Sequence, residues 1–332
     1  MIEFIQKINQ EYSISATAMK PFHSVWKIVT PGQTYILKKI KDTPDHFSMV
    51  AQIVNELYHQ GLKQVVPIRP TQSGKLYLEW GDDYFSLSQC YTGEKPSFGN
   101  LQHLRGIGQF FGQIHEFSRK VSFPKELMNE QGIEEYQSYH DFLENLLPEL
   151  PKRRDLNRID RTVIEWSDYF LEQSREVTRE LKNYPNLNSL LGHQRGFCHN
   201  DPAPGNIIMD HQKCHLIDFE FVSCDFWLKE LAHLAIRVLQ AVEWNPKEPS
   251  LDILLESYNH ERPLLDIEIQ ILPVLLRFPR RFWRFCHQRY RENLSWPERR
   301  YQNRIWEIIS EESKRRLFFE NRCSNSFTFS SN

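Results

Sequence analysis

The sequence predicts an α+β chain of two lobes: a small mixed β-sheet with one helix in residues 1–92, then a larger helical lobe in residues 93–332. Three observations predict it. The 332 residues are more than a single hydrophobic core commonly organises. Up to Thr92-Gly93, apolar residues come in short runs broken by Gly, Pro and Asp, the punctuation of strands and turns. From Leu101 onward they recur at helical spacing, apart from one stretch around residues 196–220.

Each element follows from local pattern. "IEFIQKINQEY" reads as an amphipathic helix with Ile2, Ile5, Ile8 and Tyr12 along one side. "HSVWKIVTPGQTYILKKI" is two β-rich runs around Pro31-Gly32, a hairpin signal. A helix is predicted over 45–58, with Thr43 or Asp45 as its cap and Gly61 just past its end. "VVPIRP", "KLYLEW" and "YFSLSQCYTG" predict three further strands. "RGIGQFFG" at Gly106–Gly112 lies inside a helical pattern and follows no strand, so close helix packing is expected there rather than a dinucleotide loop. In "GFCHNDPAPGNIIMDHQKCHLIDFE" two apolar runs flank Asp-His-Gln-Lys, a further hairpin. The polar end at 321–332 is expected to fray.

Composition removes several function classes. With 40% hydrophobic and 25% charged residues the balance is that of an ordinary globular protein. A formal net charge of -2 argues against general binding to nucleic acid or anionic membrane. No run approaches the ~20 apolar residues a membrane helix requires, and the first residues lack the pattern of a signal peptide. The 6 cysteines contain no CxxC pair, which fits a reducing, cytoplasmic location. His211 and His215 straddle the predicted hairpin, where their spacing does not make a zinc site.

The chemistry is concentrated in His199-Asn-Asp201-Pro-Ala-Pro-Gly-Asn206, which reads H-x-D-x-x-x-x-N. Transfer of a phosphoryl group to a hydroxyl needs a carboxylate to orient the hydroxyl and take its proton. It also needs oxygen ligands to hold Mg²⁺ against the phosphates. Asp201 is placed for the first task, and Asn206 carries a neutral amide oxygen suited to a hard cation. "HLIDFE" supplies a second candidate ligand, Asp218, after the next apolar run. The competing reading of the first motif is an Asx-rich turn that only satisfies backbone groups. Two motifs in the right order and separation favour the phosphoryl-transfer reading.

This pair of motifs resembles the aminoglycoside phosphotransferase branch of the protein kinase-like superfamily. The stretches "YILKKI", "FSLSQCYTGEKPSF", "LQHLRGIGQFFGQIHEFSR" and "LLRFPRRFWRFCHQRYREN" are similar to its spore-coat (CotS-type) members over most of the chain. The resemblance implies a bilobal kinase-like fold with ATP in a cleft, Asp201 as base, and Asn206 and Asp218 as Mg²⁺ ligands, with His199 bracing the loop. It further implies that Lys38 meets the phosphates, paired with Glu56 on the following helix, and that the adenine lies along Gln89, Cys90 and Tyr91. Lys39 is the neighbouring alternative, on the opposite face of its strand. The implied activity is an ATP/Mg²⁺-dependent kinase acting on a small-molecule or coat-protein hydroxyl, with a role in the spore coat.

Departures from the family pattern are specific. Residues 1–31 hold no glycine, so the turn "KPFHSVW" lacks the residues that bring backbone N–H groups onto a pyrophosphate. Glu230 stands where an aspartate is usual. Asp218-Phe219 is followed by Glu220 instead of glycine, and no A-P-E segment follows, a small-molecule kinase layout. Two alternatives stay open: a structural coat protein that keeps the fold without turnover, and a metabolic kinase of the homoserine or choline kinase kind. The arginine-rich segment 277–304 reads as an amphipathic helix with Phe278, Phe282, Trp283 and Phe285 inward, or alternatively as a basic rim for an anionic partner.

Overall fold

The computed structural model describes residues 2–210 and 213–322. Its strands are β1 (Ala18–Phe22), β2 (Val25–Val29), β3 (Thr34–Lys39), β4 (Leu78–Trp80), β5 (Asp83–Gln89), β6 (Arg195–Cys198), β7 (Ile207–Asp210), β8 (Lys213–Leu216) and β9 (Ser223–Phe226). Its helices are α1 (Ile2–Tyr12), α2 (Pro44–His59), α3 (Leu101–Ser118), α4 (Glu135–Leu146), α5 (Arg158–Lys182), α6 (Leu187–Leu191), α7 (Trp227–Ala241), α8 (Ser250–Glu261), α9 (Asp266–Arg277), α10 (Arg280–Cys286) and α11 (Glu298–Arg322). The chain forms two compact units. One comprises residues 1–129, 195–230 and 253–263, the other 130–194, 231–252 and 264–332.

The first unit carries a five-stranded sheet of order β1-β2-β3-β5-β4. It is antiparallel throughout, not mixed as the sequence suggested. The reason is connectivity: tight turns join β1 to β2 to β3, and β5 enters beside β3 through its hairpin with β4, so every neighbour reverses direction. The strand expected at "VVPIRP" is absent. Pro67 and Pro70 remove two ladder donors, and the segment makes only isolated bridges, Val65 to Leu216 and Ile68 to Ser88. The inward face of α1 is Phe4, Ile8 and Tyr12, while Ile2 is 76% exposed. Those three residues close over Ile28, Leu37 and Leu87 of the sheet.

Helix α2 starts where the sequence placed it. Thr43 accepts from the His46 backbone N–H, Pro44 occupies the first turn, and Gly61 beyond the end has φ 116°. On α3 the glycines admit α8. A Cβ built on Gly108 would stand 2.5 Å from the Leu254 carbonyl oxygen, and one on Gly112 would stand 2.8 Å from that of Tyr258. Because both obstacles are backbone, Gly108→Ala is expected to cost about 1–3 kcal/mol as the helices are forced apart. Urea unfolding tests this, and a midpoint equal to wild type would mean that the close approach carries no such cost.

In the second unit, Leu143 of α4, Phe170 of α5, Phe282 of α10 and Ile305 of α11 share one core, with Phe170 and Phe282 stacked at 4.1 Å. The arginine-rich segment is broken into α9, α10, a π-helical turn at His287–Arg291, and α11. Phe278, Phe282 and Phe285 are buried, and the half-buried Trp283 lies 3.8 Å from the Tyr139 ring. Acids from other elements absorb several of its arginines. Arg277 bonds Glu180, Arg281 bonds Glu311 at 2.5 Å, and Arg289 reaches Glu298 at 3.0 Å. The end expected to fray, 321–332, lies almost wholly outside the described residues.

Candidate active site

The site belongs to the first unit. Strand β6 delivers His199, and Gly196 within it leaves room for Ser118 and Trp227, which a Cβ would meet at 2.5 and 3.0 Å. Asn200 follows with φ 63°, a left-handed conformation that asparagine tolerates better than most residues. The next turn brings Asn206 back onto Asp201: its Nδ2 donates to the Asp201 carbonyl and to Oδ2, each at 3.0 Å. The amide nitrogen is thereby committed, and the amide oxygen is the atom left for a cation. The hairpin of β7 and β8 then returns the chain, and the Ile217 N–H donates to the Asn206 carbonyl at 3.0 Å.

His199, fully buried, ties these two loops together. Its Nε2 lies 2.9 Å from the Ile217 carbonyl and its Nδ1 lies 3.3 Å from the Asp201 backbone N–H. A carbonyl can only accept and an N–H can only donate, so this bonding pattern suits the tautomer with its proton on Nε2. Asn200 makes a second tie, its amide reaching the Phe221 carbonyl at 2.8 Å and Ser223 Oγ at 2.9 Å.

Behind the loop runs a buried chain of bonds. Tyr258 Oη meets His115 Nδ1 at 2.6 Å, His115 Nε2 meets Glu230 Oε2 at 2.9 Å, and Glu230 Oε1 accepts the Asn200 N–H at 2.7 Å. Glu230, in place of the usual aspartate, is long enough to reach that amide. His115, Cys198 and Glu230 have the donor types of a metal centre. Both ring nitrogens and both carboxylate oxygens are already engaged within the protein, and burial pushes the Cys198 thiol well up. The trio is a lock on the loop.

Lys38, on β3 opposite Ser86, extends to the loop after β8. Its Nζ is 2.5 Å from Asp218 Oδ1 and 2.8 Å from Glu220 Oε1, the second approach being poorly angled for a hydrogen bond. Asp218 has φ 68°. Lys39 turns the other way and pairs with Asp83 at 2.6 Å. The pairing of Lys38 with Glu56 does not form. Glu56 is exposed and accepts from Gln60 one turn on at 2.6 Å, because the face of α2 toward the site is the apolar one carrying Phe47, Val50 and Val54.

A cavity of about 690 Å³ brings Lys38, Gln89, Tyr91, Asn206 and Asp218 onto one wall system, with Glu56 outside it. Asp201 and His199 adjoin it through Asn206 and Ile217. The glycine-free turn forms its rim at Phe22, His23 and Ser24, with His23 itself at φ 54°. The connecting segment is anchored by main chain: the Cys90 N–H donates to the Thr34 carbonyl at 2.9 Å, and Glu94 exchanges bonds with Met209 at 3.0 and 2.8 Å. Tyr91 lies 4.3 Å from the ring of His215, whose basicity burial lowers.

Sequence reasoning assigned no role to Asn200 or Glu220. The first carried a usable signal, since the middle position of H-x-D takes a left-handed backbone that suits glycine or asparagine. The second carried none, because only the fold brings it to Lys38.

Comparison with known proteins places the fold. The family described as "Spore coat putative kinase YutH" matches residues 5–321. Spore coat protein S of Bacillus subtilis (strain 168) is 20% identical over 317 residues, covering 92% of this chain and 89% of that protein. An aminoglycoside phosphotransferase from Alicyclobacillus acidocaldarius superposes with a TM-score of 0.80 at 19% identity, covering 97% of this chain and 95% of its own. The amicoumacin kinase hAmiN, solved with AMP-PNP, Ca²⁺ and Ami, superposes with a TM-score of 0.62 at 16% identity over 98% and 94% of the two chains. These likenesses show the kinase-like phosphotransferase fold. No helix among the described residues is long and apolar enough to cross a membrane.

Proposed function

Because the chain belongs to the family described as "Spore coat putative kinase YutH", we propose that it is an ATP- and Mg²⁺-dependent phosphotransferase acting on a hydroxyl of a small molecule or coat protein during coat formation. The observation that carries this reading is the convergence of Lys38, Asn206 and Asp218 on one cavity of about 690 Å³, with Asp201 bonded to Asn206 at its edge. Residues 1–92 contribute Lys38, Gln89 and Tyr91, the nucleotide side of the proposed division. Residues 93–332 contribute Asp201, Asn206 and Asp218.

The donor set fits a hard divalent cation: one half-exposed carboxylate, Asp218, and one amide oxygen whose partner nitrogen is already used. The cation, when bound, neutralises charge on the phosphate oxygens. Asp201 orients the acceptor hydroxyl and takes its proton as the oxygen attacks the γ-phosphorus and the bond to the β,γ-bridging oxygen breaks, releasing ADP. Asn206 fixes the Asp201 carboxylate in that orientation, and His199 keeps its loop in register with the one bearing Asp218. Lys38 moves from Asp218 onto the α- and β-phosphates. Main-chain groups of Gln89 and Tyr91 hold the adenine.

A melting experiment with ATP, with and without Mg²⁺, tests this. A ligand at 100 times its Kd stabilises a fold by ~2.7 kcal/mol. A cation-dependent rise in Tm is expected. No rise with millimolar nucleotide would favour the second reading, a coat protein built on this fold without turnover, which the glycine-free rim at Phe22–Ser24 supports.

A further inference from the structure

A lysine carries its charge on a flexible four-carbon stem, and a carboxylate paired with the ammonium steadies it. Here the usual donor of that carboxylate, the helix after the strand, has none to offer. The side of α2 toward the cavity is apolar, and its acids Asp45 and Glu56 are exposed away from it. Asp42, just before the helix, is taken by His46 at 2.6 Å. The carboxylates on Lys38 are instead Asp218 and Glu220, both from the loop after β8. They are not equivalent. Asp218, as a cation ligand, gives up its charge to the cation when nucleotide enters. Glu220 then remains as the partner of Lys38, with its other oxygen 3.2 Å from Lys41. Lys38 and Glu220 side chains are each 24% exposed, so solvent screens the pair only partly.

We propose that Glu220 has taken over the task of the missing helix acid: it is the positioning residue that keeps Lys38 on the nucleotide phosphates while Asp218 is occupied by the cation. This rests on the phosphotransferase reading above. It puts the lysine's holder and the proposed metal ligand on one loop, so their relative placement is set by the backbone between residues 218 and 220.

The test is a double-mutant cycle read by calorimetric titration with ATP in Mg²⁺, using wild type, Glu220→Gln, Lys38→Met and the double variant. Glu220→Gln is expected to weaken binding about ten-fold, with no further loss once Lys38 is gone. Glu220→Asp, which keeps the charge on a shorter stem, should fall between, and Glu56→Gln should match wild type. Equal or tighter binding by Glu220→Gln would overturn the proposal, as would a loss that persists in the Lys38→Met background, which would make Glu220 a cation ligand. Wild type failing to bind ATP at all would overturn the phosphotransferase reading together with this one. Normal wild-type binding with an unaffected Glu220→Gln overturns this one alone.

Discussion

Asp201→Asn is expected to lower turnover by about 10²–10⁴-fold while leaving nucleotide affinity and melting temperature close to wild type. The substitution is nearly isosteric, and an asparagine oxygen can still accept from Asn206 Nδ2, so the loop should keep its shape. What is lost is the basic oxygen that takes the hydroxyl proton. Phosphate release from ATP with water as acceptor is the measurement, since it requires no knowledge of the natural acceptor. A fall in rate with unchanged Kd places Asp201 in the chemical step. Turnover equal to wild type would remove Asp201 as the base and, with it, the proposed mechanism.

Asp218→Ala acts at the other end of the site. Wild type with ATP and Mg²⁺ at 100 times Kd should gain ~2.7 kcal/mol, a rise of several degrees in Tm for a chain of this size. The variant should lose the Mg²⁺-dependent part of that rise. In the absence of ligand its stability should change little, because the Lys38–Asp218 pair is part-exposed and such pairs contribute little net. Alanine also tolerates φ 68° less well than aspartate, so Asp218→Asn serves as the companion that keeps the backbone preference and removes the charge. A Mg²⁺-dependent rise of full size in both variants would show that the cation is held elsewhere.

Much of this site was legible because its chemistry is local. Asp201, Asn206 and Asp218 flank one hairpin, and residue type plus offset was enough to bring them together on paper. The caps of α2 and the packing role of Gly108 and Gly112 were legible for the same reason, being one-turn effects. The errors came where a side chain's partner lies far along the chain. Glu56 was chosen for Lys38 as the acid well inside the right helix, but the rotation of α2 is decided by Val50, Val54 and Leu57 seeking the core, which turns Glu56 to water. Likewise a strand was read at 65–70 from its apolar residues, while Pro67 and Pro70 limited it to isolated bridges. On α1, the expected Ile5, Ile8 and Tyr12 do pack on the core, but Phe4, stacked on Trp80 at 4.9 Å, joins them while Ile2 is left exposed.

The first unit is assembled from three separated stretches of chain, and this has a consequence for how it is made. Every motif that suggests the chemistry has been synthesised by residue 220, but the loop of Asp201 still lacks its buried brace there. Its support passes through Glu230 and His115 to Tyr258, and α3 has no partner for Gly108 and Gly112 until 254–262 has emerged. Closing so long a loop carries its entropic cost before any contact repays it. The nascent chain therefore holds the proposed reactive groups without the brace behind them, and the finished arrangement arrives late, when α8 docks. A polypeptide stopped at residue 245 should bind no nucleotide even though nothing in its motifs is missing.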